Sequence, residues 1–458
     1  MKQHEFLIGE PGKANDDLNS MGITIFRAQP AAIRSMLGLV GVLLFVAGPA
    51  WSATPIEEAK VLALDGAAGD QFGYSVALSR DTAVIGARFD SDDVNGAESG
   101  SAYVFIRTGT TWSQQAKLTA NDGAARDWFG VRVAISGDTA VVTADADDDD
   151  VNGVDSGSVY VFTRSGTTWS LQAKLIAADG APVDLFGYSV ALSDDTAVFG
   201  AKFDDDDING VDSGSAYVFV RSGTIWSQQA KLTAADGEPG DEFGYSVALA
   251  GDTVVVTANA DDDDVNGIDS GSAYVFTRAG AAWSQQAKLT AADGAAGDLF
   301  GVRAAVFGDT ALIGARFTDD SGDDSGSAYV FTRSGAIWSQ QAKFTADDGA
   351  AGDDFGYSVA ISGNTALVGA QSDDNNINGV DSGSAYVFTR SGTTWSQYAK
   401  LTPSHGSAGD QFGGRVAMSG NTALIGARLV DDNVKGGDSG AAYVFTGVPS
   451  GDRDGNEN

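Results

Sequence analysis

The chain has 458 residues, with 62 acidic side chains against 28 basic ones and a formal charge of −34. That balance argues against nucleic acid and anionic membrane surfaces as partners, because phosphate binding needs clustered Lys and Arg. Cys is absent, which excludes disulfides, thiolate metal sites and cysteine catalysis, and only His4 and His405 remain for histidine chemistry.

Residues 1–53 read as a leader. The apolar run MLGLVGVLLFVAGPA at 36–50 is too short for a comfortable membrane span. Arg27 and Arg34 precede it, and Ala50-Trp51-Ser52-Ala53 follows with small residues at alternate positions. This is the pattern of a secretory signal peptide cleaved near Ser52–Ala53. A start at Met21 would give it ordinary length, and an uncleaved signal anchor is the alternative. Either reading places the remainder outside the cytoplasm: secreted, periplasmic or on the cell surface.

From residue 54 to 447 one unit recurs seven times. Its Phe-Gly pair begins at Phe72, Phe129, Phe186, Phe243, Phe300, Phe355 and Phe412, at intervals of 57 residues with a single 55. A fixed period of this kind predicts a repeat architecture in place of several unrelated domains. Each unit holds four strand signals. FGYSVALS and DTAVFGA flank a Gly-Asp or Gly-Asn turn, a dipeptide suited to tight hairpins. An acidic loop follows, then GSAYVFVR, rich in aromatic and β-branched residues, then WSQQAKLTA.

The phase is offset at both ends. EEAKVLALDG at 57–66 matches the fourth strand, QQAKLTANDG at 114–123, yet it precedes the first Phe-Gly pair. The seventh unit stops after its third strand, at Thr446. The predicted fold is therefore all-β: a seven-bladed β-propeller with four antiparallel strands per blade, in which the N-terminal strand at 56–64 completes the last blade. A linear stack of sheets would leave two exposed edges, which closure removes.

The recurring Phe, Tyr and Trp are expected in the core. One Lys per outer strand (Lys60, Lys117, Lys174, Lys231, Lys288, Lys343 and Lys400) is expected to oppose edge-to-edge pairing. In an up-down-up-down blade the acidic loop and the link to the next blade share a face. That face should be strongly negative, while the opposite one carries the short turns and Arg107, Arg164, Arg221, Arg278, Arg333 and Arg390.

Four of the acidic loops place oxygen ligands at alternate positions before a Gly, as a calcium loop does. The predicted ligands are Asp148, Asp150, Asn152 and Asp155 in blade two, and Asp205, Asp207, Asn209 and Asp212 in blade three. Blade four offers Asp262, Asp264, Asn266 and Asp269, and blade six Asp374, Asn376, Asn378 and Asp381. Hard oxygens without His or Cys favour Ca2+ over transition metals. Blades one, five and seven depart from the pattern, with Ser91 in place of Asp, a shortened loop, and Lys435 in place of Asn respectively. A solvated, metal-free Asx turn is the alternative.

With these residues the chain resembles the FG-GAP repeat family, whose best-known members are the integrin α-subunit propellers. The Phe-Gly pairs match, and so do the Gly-Ala pairs at 86–87, 200–201, 314–315, 369–370 and 426–427, with Thr-Ala at 143–144 and 257–258. The resemblance is closer to the bacterial exported type. In integrins the calcium loop lies between Phe-Gly and Gly-Ala, whereas here it follows Gly-Ala, so the metal assignment does not carry over by position. The Pro of Gly-Ala-Pro is also replaced.

The resemblance and the repeated acidic loops together point to a non-catalytic, calcium-stabilised binding or adhesion module for an extracellular protein or glycan, and the chain is expected to be a monomer. An architectural surface or matrix protein is a second reading, and a polysaccharide-cleaving enzyme that uses paired carboxylates is a third. An enzyme needs one asymmetric pocket, and the best marks of asymmetry are Arg132, Arg303 and Arg415, which stand where other blades have Ser. Arg132 is expected to pair with Asp145. Residues 448–458 read as a disordered polar tail.

Overall fold

Two of the four strands in each unit are too apolar on both faces to meet water. The second, such as Thr196–Ala201, is buried at all six positions, and the third, such as Ser215–Ser222, at its first five. A sheet of this kind must be covered on both sides. The computed structural model, which describes residues 54–450 except 93, 207, 264 and 376, shows how this is done. The predicted leader and the chain from 451 onward lie outside the described residues.

Seven four-stranded antiparallel sheets follow one another around a ring. Blade three runs Ser189–Ser193, Thr196–Ala201, Ser215–Ser222 and Ile225–Leu232 from the axis outward. The outer strand is half-exposed, and a register shift between Val218 and Phe219 bends it against the third strand, as such bulges do. The seventh sheet is built from both ends of the chain. Phe412–Ser419, Thr422–Ala427 and Ala441–Thr446 are completed by Ile56–Val61, with Ile56 opposite Thr446 and Val61 opposite Ala442. A parallel bridge between Phe72 and Gly440 joins the first blade to the last, as Gly100–Phe129 joins the first to the second. The ring is closed. Val448 is also buried, and its amide donates to Asn421 O (3.2 Å), so packing continues past 447.

The Phe-Gly and Gly-Ala pairs are two halves of one contact between neighbouring blades. Phe186 is 1% exposed and meets Tyr217 edge-on with ring centroids 5.5 Å apart, an arrangement repeated around the ring. The following glycine presses its backbone against the preceding blade: a methyl group on Gly200 would lie 1.9 Å from the Gly244 carbonyl oxygen. A close-packed interior cannot open there without separating two sheets. Gly200→Ala is therefore expected to lower unfolding stability by about 2–3 kcal/mol in chemical denaturation, although Ala is the gentlest side chain available. Thr257, which stands at the same place in blade four, is accommodated through its own bond from the Ser246 amide (3.0 Å).

Candidate functional site: the acidic loop face and the ring axis

All seven loops between second and third strands, and all the links between blades, emerge on one face, because each follows a strand running the same way. In the four-Asp loops, alternate carboxylates have separate tasks. The first turns inward. Asp147 is buried, and its carboxylate accepts from Ser158 Oγ (2.5 Å) and Tyr160 Oη (3.2 Å). The third caps the turn: Asp149 Oδ1 accepts the Val151 and Asn152 amides at 2.9 and 3.4 Å. The second and fourth face outward.

The structure divides the predicted calcium ligands: it joins Asp148 to Asp155 and sends Asp150 and Asn152 elsewhere. Asp148, exposed, accepts the Asp155 amide on Oδ1 at 2.9 Å, and Asp155 adopts φ 51°. Asp150 stands exposed at the tip. Asn152 reaches across to the neighbouring link and donates to Ala177 O (2.9 Å). The other loops repeat this. Asp205 accepts from Asp212 (2.9 Å), Asp262 from Asp269 (2.8 Å) and Asp374 from Asp381 (2.9 Å). Asn209, Asn266 and Asn378 donate to the carbonyls of Ala234, Ala291 and Pro403. Asp207, Asp264 and Asn376 lie outside the described residues. Among the described residues no group of three acidic or histidine side chains is placed to hold a metal ion. In blade two three carboxylates, Asp122, Asp147 and Asp149, do converge, but on Lys174 Nζ (2.9, 3.0 and 3.6 Å), so that loop does not by itself enclose a calcium ion.

In six of the seven blades the chain itself supplies a cation at the heart of the loop. Lys174 Nζ lies 3.0 Å from the buried Asp147 and 2.9 Å from Asp122, which belongs to the link arriving from the previous blade. Lys117, Lys231, Lys288 and Lys400 repeat the bridge, to Asp90, Asp204, Asp261 and Asp373. Blade five, with its shortened loop, keeps it through Lys343 and Asp320 (2.5 Å). In blade seven Val430 takes the place of the Asp, and Lys60 lies 5.6 Å from the Tyr443 ring centroid. Burial alone would lower the Lys174 ammonium, but its hydrogen bonds to Asp122 and Asp147 outweigh that and hold it above its ordinary value. These lysines therefore clasp neighbouring blades, a role beyond the edge protection read from the sequence.

A second series of carboxylates, expected from the sequence only as part of the acidic links on the negative face, turns inward. Asp70, Asp127, Asp184, Asp241, Asp298, Asp353 and Asp410 are buried at the end of each link. Each accepts a backbone amide three residues earlier, as Asp184 does from Ala181 at 2.7 Å. Burial pushes all seven carboxyls above the ordinary range, and the nearby loop carboxylates add to the shift. Five of them, Asp70, Asp127, Asp184, Asp241 and Asp353, reach about 6.

On the opposite face the predicted arginines are structural. Arg221 Nε donates to Asp195 (2.6 Å) in the hairpin turn, Arg221 Nη1 donates to Thr139 of the previous blade (2.8 Å), and the guanidinium stacks on Trp226. That indole donates in turn to Gln172 of the previous blade (2.9 Å).

The irregular arginines gather where the first strands begin, around the ring axis. Arg132 lies 5.3 Å from the Tyr188 ring centroid, Arg303 5.7 Å from Tyr245, and Arg415 5.3 Å from Tyr357. Arg132 and Asp145 attract one another electrostatically, but Asp145 Oδ1 is buried and accepts no hydrogen bond. Tyr74, Tyr188, Tyr245 and Tyr357 occur in only four blades, and that irregularity was the available signal for them.

No curated protein matches the chain. The FG-GAP repeat model matches seven times, over residues 55–105, 112–162, 169–219, 226–276, 283–331, 338–388 and 395–445. Each match begins on an outer strand and ends on the third strand of the following blade, which is the same offset that lends the N-terminal strand to the last sheet. Seven successive matches on seven closed blades place this chain in the FG-GAP repeat family.

Proposed function

We propose that the protein is an exported, non-catalytic module that binds an extracellular protein or glycan through its acidic loop face. The propeller fold of the FG-GAP family supports a binding role. The observation that carries the reading is the segregation of loops: long ones on one face, two-residue turns on the other, both on a rigid ring. Loops held by a rigid scaffold are the usual place for recognition. Export rests on the apolar run at 36–50 and the small residues after it.

Calcium enters this reading as an ion shared by exposed carboxylates at the loop tips, such as Asp148 and Asp150, where it would lessen the repulsion of a strongly negative face. It is not needed to close the loops, which the lysines do. The expected dissociation constant is about 10⁻⁴–10⁻³ M. Calorimetric titration of the mature domain with calcium, and with magnesium as control, should give saturable heat in that range and a higher melting temperature with calcium alone. If neither changes, calcium leaves the reading and only the binding role is kept.

A further inference from the structure

The axial mouth on the acidic face carries the opposite charge to its surroundings. Arg132, Arg303 and Arg415 enter it from blades two, five and seven, and a cavity of about 160 Å³ is lined by these three together with Ser75, Ser189 and Tyr245. Each guanidinium is braced by donating Nη1 to the carbonyl just before it: Val131 (2.9 Å), Val302 (2.6 Å) and Gly414 (2.6 Å). Four further cations, Arg88, Lys202, Arg316 and Arg428, leave the second strands beside the same tyrosines.

Against these seven cations stand few carboxylates. Glu242 pairs with Lys202 (3.1 Å), Asp145 lies opposite Arg132, and Asp354 is occupied by Ser372 (3.0 Å) and Gln371 (3.3 Å). The Nε groups of Arg88, Arg316 and Arg415 are buried without a hydrogen-bond partner. Burial, reinforced by Arg303 and Arg132, depresses Arg415 to about 9. Burial alone would raise the Tyr357 phenol, yet Arg415, Arg428 and Arg303 together bring it down to about 6. Deeper along the axis the lining turns apolar, with Val76, Val133, Val359 and Val416. A charged ligand is thereby confined to the mouth.

We propose that the ring axis is a binding site for a small oxyanion of the carboxylate or phosphate class, held jointly by Arg132, Arg303 and Arg415. Guanidinium forks suit these planar or tetrahedral oxygens. The aromatic rings restrict the side chains before a ligand arrives, which reduces the entropy lost on binding. Enclosure also shields the charges from the salt screening that weakens exposed pairs. The proposal is independent of calcium and of any partner at the rim.

The test uses substitutions that the protein itself supplies. Arg132→Ser, Arg303→Ser and Arg415→Ser, combined, restore the residue found at Ser75, Ser189, Ser246 and Ser358. Melting temperature and titration heat are measured with inorganic phosphate, sulfate and glucuronate, at ionic strength held constant with chloride. The unsubstituted chain should show saturable heat and a melting temperature raised by at least one of the three anions. The triple variant should show neither, while melting at or above the unsubstituted chain in chloride alone, since it has lost mutual repulsion. A response to glucuronate alone assigns the site to sugar acids, and a response to phosphate or sulfate assigns it to inorganic or esterified oxyanions.

Arg303→Ser alone, the milder change, should weaken binding about tenfold or more. Anion binding should also raise the Tyr357 phenol and reduce the tyrosinate absorbance in the ultraviolet, a change absent in Tyr357→Phe. The proposal fails if no anion gives a saturable response, or if the triple variant responds as strongly as the unsubstituted chain.

Discussion

A chain that begins at Gly66 is expected to melt about 15 °C or more below one that begins at residue 54, or to associate before it melts. The missing strand, Ile56–Val61, makes up a quarter of the seventh sheet. Without it Ala441–Thr446 becomes an unpaired edge, and such an edge recruits other chains. Val61 and Ala63 also leave a cluster with Ile85, Phe105, Leu424 and Val444, which joins the last blade to the first. Glu58 no longer accepts from Arg107 (2.7 Å) and Trp112 (3.1 Å), and Glu57 no longer accepts the Ser404 amide (2.7 Å).

Val61→Asp tests the same joint by one substitution. A carboxylate placed at a 5% exposed position beside apolar neighbours should cost about 3–5 kcal/mol. Circular dichroism melts with size-exclusion chromatography decide both cases. A truncated monomer that melts within a few degrees of the longer chain would remove the clasp from the account of stability.

Acidification from pH 8 to pH 5 is expected to stabilise this protein, by about 5 °C or more in melting temperature. The link carboxyls are the reason. Asp70, Asp127, Asp184, Asp241 and Asp353 stand at about 6 when folded, because burial and neighbouring carboxylates disfavour their charge. In the unfolded chain an Asp titrates near about 3.9. Between those values the folded protein binds more protons, so stability rises as pH falls through about 6 and is fully gained below about 4.

Carboxylates bound to the lysines act in the opposite sense. For Asp122 and Asp348, burial raises the carboxyl but hydrogen bonds from Lys174 and Lys400 outweigh it and hold each below the ordinary value. Their contribution is present above that value and is lost only as pH falls through the depressed one. The melting temperature should therefore peak between about pH 4 and pH 5.5 and fall on both sides. Calorimetric scans in steps from pH 3 to pH 8 would show it. A profile flat from pH 8 to pH 5, or one that declines, would mean that the link carboxyls are better solvated than their burial indicates.

The ring and its seam were readable in the sequence because a near-copy repeated seven times leaves few topologies open. Period gave the blades, and the displaced EEAKVLALDG gave the closure. The loops were harder for a physical reason. In a run of four Asp, sequence shows alternation but not its phase, and the phase depends on which side chain meets Ser158, Tyr160 and Lys174, from strands 11, 13 and 27 residues further on. Reading the lysines only as edge protection missed that they neutralise inward-turned carboxylates such as Asp147. The axial cluster was visible only as irregularity. Arg132, Arg303 and Arg415 are far apart along the chain, and nothing brings them together until all seven sheets have assembled.

The same closure fixes how this protein presents itself when tethered. Ile56 starts beside Thr446, where the last strand ends, and Val448 is bonded to Asn421 in an adjoining hairpin turn. Both ends of the described chain consequently depart from the side bearing the short turns. A label joined at residue 54 or residue 450 would sit on that side. The carboxylate-rich surface, with its cationic centre, faces the other way.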